Sequence, residues 1–261
     1  MFFSGEQKAK GRTDEASRPN TPATIPSAPS SSKFTAAGVR DYETRRYRGI
    51  DQRIVQARET RILKKVFRSI KETWSGAGPV LDLPCGYGRF SSFLLGQGFR
   101  IVNSDLSFQM VKRACQRIEE ARGAASGPGN VPRPSSPRAS GAVGNAKQGL
   151  PFRAGVFPVV LSIRFFHHVH EPRDREKILG EFFRVSSAWA VVSFYRMNAL
   201  HLFQRRLRRL VNKSRTRIKM IAPGRFEEEA EAAGFEVMRV FPLIRGIHAY
   251  HIALLKKPSL D

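Results

Sequence analysis

The sequence predicts an α/β fold, in which a doubly wound, mostly parallel β-sheet carries helices on both of its faces. Short β-branched runs alternate with amphipathic helical segments over most of residues 79–256, which is typical of parallel strands joined by helical crossovers. A run of apolar residues leads through a glycine loop at 86–88 directly into a helical pattern. With 261 residues and 41% hydrophobic residues, the chain is long enough for one such domain with extensions.

The elements follow one another in a regular order. Apolar residues at helical spacing among many Arg and Lys predict one or two helices within 42–74. Further helices are expected to begin at Phe90 and to cover 107–121, about 173–185 and about 223–233. Strands are predicted at 79–83, 99–105, 156–163, 189–195, 236–242 and 249–256. The last two strands are expected to form a hairpin at one edge of the sheet.

Three stretches differ in composition from the rest. Residues 1–35 are rich in Ser and Pro and cannot bury enough apolar surface to offset the entropy of ordering, so a disordered tail is expected. Residues 36–78 form a helical region, interpreted as a lid over the main domain at 79–261. Within that domain, 122–144 is rich in Gly, Ser, Pro and Arg, and a flexible insertion is expected there.

The segment 80–90 carries the strongest functional signal. The first predicted strand ends at Asp82, and Gly86 and Gly88 allow the backbone to come close to a ligand. A pyrophosphate at this helix start would be repelled by Asp82, whereas a cationic amino-acid group would be attracted. This layout resembles the first motif of the class I S-adenosylmethionine (SAM) methyltransferases, in which the loop wraps the methionine part of the cofactor. The resemblance implies that the methionine end is bound by Asp82, Pro84, Cys85, Gly86 and Gly88.

A second acidic residue supports the same interpretation. Asp105 ends the second predicted strand and can accept hydrogen bonds from both ribose hydroxyls, at about 1.5–3 kcal/mol each. The alternative is that Asp105 caps the next helix, a role that Ser107 can fill instead. An NAD-type site also requires this acid, but its fingerprint needs a third glycine where this chain has Ser91. We therefore expect Asp105 to bind ribose and Leu106 to lie against adenine.

A third segment extends the resemblance over about 79–195. Asn145-Ala146 stands where the family usually carries Asp-Ala, and an Asn carbonyl can still accept a hydrogen bond from the adenine amino group. The chain resembles the broad group often called type 11 methyltransferases, which includes quinone-biosynthesis enzymes. The resemblance implies a seven-stranded Rossmann-like sheet, SAM as the cofactor, and Asn145 and Ala146 at the adenine edge.

Two histidines follow the fourth strand of the resemblance. The end of that strand faces the methyl group in the family, so His167 or His168 can serve as a general base for an acceptor hydroxyl. The alternative is a structural or cofactor-side role, because this His-His-Val ending accompanies different acceptors in the family. Methyl transfer from a sulfonium needs little acid–base help, since positioning alone can supply up to about 7–11 kcal/mol. No metal site is expected, because no acidic or Cys ligands accompany the histidines.

The positive charge of the chain indicates anionic partners. Lys and Arg total 45 against 22 Asp and Glu, giving a net charge of +23 and a pI near 11.1; a merely basic, solvated surface is the alternative. The segment 196–220 carries nine Lys or Arg and no acid, and its apolar residues share one helical face. This basic segment can cap the acceptor pocket, which we favour, lie on an anionic membrane, or follow an RNA backbone. RNA is the least favoured, because no basic motif is interleaved with aromatic residues.

Together these features predict a SAM-dependent methyltransferase acting on an O or C nucleophile of a small or amphiphilic acceptor, and the positive charge leaves an anionic acceptor open. The alternatives are an RNA methyltransferase and a non-catalytic protein that retains the SAM-binding fold. Two cysteines, Cys85 and Cys115, argue against a disulfide framework and fit a reducing cytoplasm. No apolar run is long enough to span a membrane. A cytoplasmic location is expected, with peripheral membrane contact through 196–220.

Overall fold

The computed structural model describes residues 50–73, 78–125, 140–197, 220–245 and 248–258. These residues form five α-helices, one 3-10 helix and seven strands. In chain order the elements are α1 Ile50–Thr73, β1 Pro79–Asp82, α2 Ser91–Gly96, β2 Arg100–Asp105, α3 Phe108–Ala125, β3 Ser140–Val143, β4 Phe157–Ser162, the 3-10 helix Phe166–His168, α4 Pro172–Val185, β5 Ser186–Tyr195, α5 Arg225–Ala232, β6 Glu236–Pro242 and β7 Tyr250–Lys256.

The seven strands form one sheet, and its order is β3-β2-β1-β4-β5-β7-β6. The first five strands are parallel to one another, whereas β7 pairs antiparallel with both β5 and β6. The predicted doubly wound, mostly parallel sheet is therefore confirmed. The predicted hairpin also forms, although β7 lies inside the sheet and only β6 occupies the edge.

Helices cover both faces of the sheet, as the alternation of strands and helices predicted. On one face, α4 and α5 bury Ile178, Phe182 and Phe226 against the central strands. On the other face, α1 buries Leu63 and Phe67 together with residues of α2 and α3. Along β4, neighbouring side chains alternate between these two apolar clusters, as a parallel strand buried on both sides requires.

The expectation of an unstructured insertion at 122–144 is wrong at both of its ends. Helix α3 continues to Ala125, and Ser140–Val143 forms β3, which pairs in parallel with β2. This strand is short and mostly exposed, so it lacks the apolar run that identifies the buried strands. Close backbone packing explains its Gly141, where a Cβ atom would lie 2.5 Å from Val111 Cγ1 and 2.9 Å from the carbonyl oxygen of Asn103.

Several predictions fall wholly or partly outside the described residues. The tail at 1–35 lies outside them, as do 36–49 of the lid region, 126–139 of the insertion and 198–219 of the basic segment. Within 36–78, the described part is the single helix α1. None of the helices that the structure describes is long and apolar enough to cross a membrane.

Candidate active site

The topology places the candidate residues at one edge of the sheet. Strand β1 lies between β2 and β4, so the crossovers on its two sides leave in opposite directions and open a crevice at the carboxyl ends of the strands. Asp82 ends β1, Asp105 ends β2, and Ser162 ends β4. Tyr195 ends the parallel neighbour β5. The acidic residues predicted for binding and the segment that carries the histidines therefore share this carboxyl edge.

The glycine loop takes a conformation that only glycine adopts without strain. Gly86 and Gly88 have φ values of 53° and 78°, in the left-handed region. A Cβ atom at Gly88 would lie 2.8 Å from the Cα atom of Ala114, so α3 packs directly against the loop. At Gly86 nothing lies within 4 Å of such an atom, and this part of the loop has open space beside it. That space is compatible with a ligand lying against the loop backbone.

Asp82 is a buried carboxyl group without a cationic partner among the described residues. It is 2% exposed, and its Oδ2 atom has no hydrogen-bond partner there. Burial, with a further contribution from the charge of Asp105, raises the pKa of Asp82 to about 8. Such a carboxyl group suits a ligand that brings its own positive charge, because the ligand would supply the missing partner.

Asp105 is held in place by the backbone. Its Oδ2 accepts a hydrogen bond from the N–H of Gly86 at 3.0 Å, and its Oδ1 accepts one from the N–H of Ser107 at 3.0 Å. Burial raises the pKa of Asp105, partly offset by these backbone hydrogen bonds. The first contact ties the acid directly to the glycine loop. Each carboxylate oxygen keeps a further lone pair that can accept a bond from a ligand hydroxyl.

Ser107 takes the capping role that was the alternative for Asp105. Helix α3 begins at Phe108, and the hydroxyl of Ser107 accepts a hydrogen bond from the N–H of Met110 at 3.4 Å. Asp105 therefore accepts the backbone N–H groups of Gly86 and Ser107 described above. Its position at the crevice is compatible with the predicted ribose role.

The side chain of Cys85 points away from the open part of the loop. It packs with Val111 and Ala114 of α3, and its backbone N–H donates to the carbonyl of Ser104 at 2.8 Å. Burial is the main cause that raises the pKa of its thiol, and the charges of Asp105 and Asp82 add to it. Contact with a cofactor would therefore come from the backbone here. The neighbouring Pro84 is half-buried and follows a cis peptide bond.

An apolar surface lies beside Asp105. Leu106 is 44% exposed, and Val143 at the end of β3, in register with Asp105, is 42% exposed. Two large apolar side chains left exposed at a ligand crevice are suited to the faces of a flat base. Val143 was not identified from the sequence, because it lies in the stretch interpreted as an insertion; only the recognition of β3 could have placed it here.

Asn145 and Ala146 are brought to the same place by backbone contacts. The N–H of Gly144 donates to the carbonyl of Asp105 at 3.0 Å, which fixes the chain next to β2. The Oδ1 atom of Asn145 accepts the N–H of Lys147 at 3.0 Å, so it already stabilises a turn and would offer an adenine only its second lone pair. Ala146 is buried in the core cluster. The adenine role of both residues stays a prediction.

The two histidines occupy different environments. His167 is 9% exposed, whereas its neighbour His168 is exposed on the 3-10 helix. Their ring centroids are 3.9 Å apart, and the ring of His167 also meets the edge of Tyr195 at 5.3 Å. Beyond Tyr195 lie His248 at 6.5 Å and Tyr250 at 5.2 Å. We call these five residues the ring cluster.

The ring cluster assembles residues that are far apart in the chain. Tyr195 ends β5, His248 precedes β7, and Tyr250 begins β7. Sequence reasoning identified only the two histidines after β4. The antiparallel pairing of Tyr195 with Tyr250 is what brings the others to the same edge, and no local pattern signals that pairing.

The described ends of the basic segment also adjoin the ring cluster. Arg196 forms an isolated bridge with Ile221, and the N–H of Ile221 donates to the carbonyl of Tyr195 at 2.7 Å. The chain therefore leaves β5 and returns to it at the same point. Among the described residues no group of His, Cys, Asp and Glu could hold a metal ion.

Comparison with known proteins gives one family and one fold. Residues 81–188 match the family model described as a methyltransferase domain. No curated protein matches the chain. Among solved structures, the magnesium protoporphyrin IX methyltransferase of Synechocystis PCC 6803 with bound SAH shares 16% identity and a TM-score of 0.66, over 87% of this chain and 97% of that chain.

Two further structures show the same fold. A TehB-like SAM-dependent methyltransferase of Corynebacterium glutamicum shares 19% identity and a TM-score of 0.52, over 86% of this chain and all of that chain. The PH0226 protein of Pyrococcus horikoshii shares 21% identity and a TM-score of 0.56, over 84% and 99%. At these identities the structures establish the fold, and the family model identifies residues 81–188 as a methyltransferase domain.

Proposed function

We propose that this SAM-dependent methyltransferase, whose residues 81–188 match the model of a methyltransferase domain, methylates an oxygen or carbon nucleophile of a small or amphiphilic, anionic acceptor that lies against the ring cluster. The chain is an enzyme, and its cofactor is SAM. When bound, SAM supplies an electrophilic methyl group on a positively charged sulfonium.

We propose cofactor-binding roles for residues at the carboxyl edge of the sheet. The unpaired carboxyl group of Asp82 would bind the amino group of the methionine end, while the backbone at Gly86 would pass beneath it. Asp105 would accept hydrogen bonds from the ribose, and Leu106 would cover one face of the adenine. Of these, the Oδ2 atom of Asp82 is the most direct support, because the described residues provide no other partner for it.

The ring cluster is the single observation that carries the acceptor proposal. It lies at the ends of β4 and β5, next to the strand that ends in Asp82. Its accessible rings, those of His168, Tyr195 and His248, can pack against an apolar part of the acceptor and exclude water from the reacting atoms. If the acceptor is a hydroxyl, one of the imidazoles can take its proton, and the exposed position of His168 is compatible with that role.

The basic segment supports an acceptor that is anionic or amphiphilic. Its two described ends adjoin Tyr195, so the nine positive charges of 196–220 attach to the chain beside the ring cluster. Nearby positive charge raises the local concentration of an anionic acceptor. We propose that this segment caps the acceptor, and that peripheral contact with an anionic membrane is a further property of the same charges.

Incubation of the purified protein with SAM carrying a radiolabelled methyl group tests the acceptor proposal. The acceptors would be an anionic phenol such as 4-hydroxybenzoate, amphiphilic hydroxylated acids, and total cellular RNA. Label transferred to a small acid, and lost in a His167→Ala and His168→Ala double variant that still binds SAM, would support the proposal. Label that enters only RNA would overturn it in favour of the RNA alternative.

A further inference from the structure

A buried carboxylate on α1 joins three separate parts of the enzyme. Glu59 has no exposed surface. Its carboxylate accepts hydrogen bonds from the guanidinium groups of Arg89 and Arg164 and from the hydroxyl of Tyr250. The contacts to Arg164 measure 3.0 Å from Nε and 3.2 Å from Nη2. Such a group is not needed to seal an apolar core, so its connections call for an explanation.

Arg89 links Glu59 to the cofactor loop. It directly follows Gly88 and precedes α2, and its guanidinium lies 4.9 Å from the centre of the Phe90 ring. A guanidinium held by a buried carboxylate and stacked on a ring has little rotational freedom. The chain that leaves the glycine loop is therefore fixed to α1.

Arg164 links Glu59 to the segment that carries the histidines. It lies two residues after β4 and has a φ of 60°, the only positive φ of a residue other than glycine among those described. Its backbone N–H donates to the Ser193 hydroxyl at 2.6 Å, while its side chain is bound to Glu59. A left-handed conformation at a residue with a side chain persists only where its surroundings enforce it. Here Glu59 is one of those constraints.

Tyr250 completes the connection on the acceptor side. Its ring is buried, and burial together with the charge of Glu59 raises the pKa of its hydroxyl well above the usual value. The ring contacts Tyr195, which in turn contacts His167. The same carboxylate therefore supports the turn before the histidines and one side of the ring cluster.

We propose that Glu59 is a positioning residue of the cofactor site: through Arg89 it holds the glycine loop in its binding conformation, and through Arg164 and Tyr250 it aligns the acceptor edge with that loop. Helix α1 lies outside the matched domain at 81–188, so this assigns a functional role to the region that precedes it. The inference rests on SAM being the cofactor and is independent of the acceptor's identity.

Glu59→Gln tests the inference by calorimetric titration with S-adenosylhomocysteine, which needs no acceptor. We expect at least a tenfold loss of affinity. The matched control is Glu229→Gln on α5, because Glu229 is also buried and pairs with a buried guanidinium, that of Arg175. The control should lose stability to a similar extent and keep its affinity within twofold.

A double-mutant cycle tests the route through the loop. Arg89→Gln should weaken binding about fivefold to tenfold, and the Glu59→Gln, Arg89→Gln double variant should be no weaker than Glu59→Gln alone. Affinity of Glu59→Gln within twofold of the parent, equal losses in the Glu59 and Glu229 variants, or additive effects in the cycle would each overturn the inference. If Glu59→Gln does not fold, an unchanged affinity of Arg89→Gln overturns it.

Discussion

Two buried acidic sites of this enzyme differ in what neutralises them. Between α4 and α5, Glu229 receives the guanidinium of Arg175, with Nε to Oε2 at 2.7 Å, and also binds Arg225. At the carboxyl edge, the charge of Asp105 helps to raise the pKa of Asp82, and Asp82 has no cationic partner among the described residues. The first site is complete within the fold, whereas we propose that the second is completed by the positive charge of the cofactor.

The two sites differ in whether the buried acid stabilises the fold or is available to a ligand. A buried ion pair that is lost on one side leaves an uncompensated charge and destabilises the fold. A buried carboxyl group without a partner destabilises the free protein instead. A cationic ligand that pairs with it removes this destabilisation, which adds to the affinity for the ligand. A buried carboxyl group therefore contributes to stability at Glu229, and we expect one to contribute to affinity at Asp82.

The largest effect is expected from Glu229→Gln. Removing this charge leaves Arg175 buried beside a neutral group, so the free energy of unfolding should fall by about 3–5 kcal/mol. Urea denaturation measures the loss, and calorimetry should find the affinity for SAM unchanged. A variant as stable as the parent would show that the ion pair is not what holds α5 against α4.

Gly88→Ala should have the next largest effect. The added Cβ atom would overlap the Cα atom of Ala114, and the left-handed φ would be strained, for a combined cost of about 2–4 kcal/mol. Gly86→Ala is the matched control, since it has the same kind of φ but open space, and should cost about 1 kcal/mol of stability. Thermal denaturation compares them; equal losses would mean that α3 does not pack on the loop as described.

Asp82→Asn should weaken the binding of SAM and stabilise the free protein. Affinity for SAM should fall about 100-fold, because a charge-assisted hydrogen bond of about 1.5–3 kcal/mol is lost. The free variant should be more stable than the parent by about 1–3 kcal/mol above pH 8, since a buried carboxylate without a partner has been removed.

The stability gained by Asp82→Asn should depend on pH. The pKa of Asp82 is about 8 in the folded protein and 3.8 in an unfolded chain, so the folded state holds a proton that the unfolded state loses between these values. The stability of the parent should therefore fall as pH rises from about 4 to 8 through this group. The advantage of Asp82→Asn should be small at pH 5 and greatest above pH 8; a constant advantage would contradict the assignment.

The smallest effect is expected in the pH dependence of cofactor binding. Below pH 8 a cationic ligand must displace the proton of Asp82, so affinity should rise by up to about tenfold per pH unit. Of the facing groups, Asp105 has a pKa raised by burial, and Cys85 has a pKa raised by burial and by the charges of Asp105 and Asp82. Calorimetry at pH 6, 7 and 8 in buffers of different ionisation enthalpy measures the proton release.

Asp82→Asn is also the control for that measurement. The α-amino group of SAM itself titrates near a pKa of about 7.7–8.0, and the variant reports this contribution alone. If the parent and the variant release the same number of protons, Asp82 is not the group that the cofactor ionises.

The residues proposed for the cofactor could be identified from the sequence because their signals are local, although their roles stay predictions. A strand that ends in Asp82, two glycines and an acid at the end of the next strand lie within 79–105, and each has a backbone reason to be there. The doubly wound sheet followed from the alternation of strands and helices. The strand β3 was missed because its exposure removes the apolar pattern that identifies a strand.

The residues of the proposed acceptor side could be identified only in part, because they come together through the pairing of strands in the sheet. His167 and His168 were found next to a predicted strand, but Tyr195 and His248 join them only through the pairing of β5 with β7. Glu59 is one of three acidic residues on a helix rich in Arg and Lys, so in the sequence it resembles an ordinary surface residue. Its burial depends on Arg89 and Arg164, which are far away in the sequence.

The two ends of the basic segment adjoin each other, so a segment of different sequence can replace it at this position. Because Arg196 and Ile221 are already paired, the residues between them close a loop whose entropic cost changes by only about 0.6 kcal/mol when its length is doubled. Segments of very different length can therefore be grafted between 197 and 220 without disturbing β5. The enzyme could acquire a new acceptor by this route while its cofactor site stays as it is.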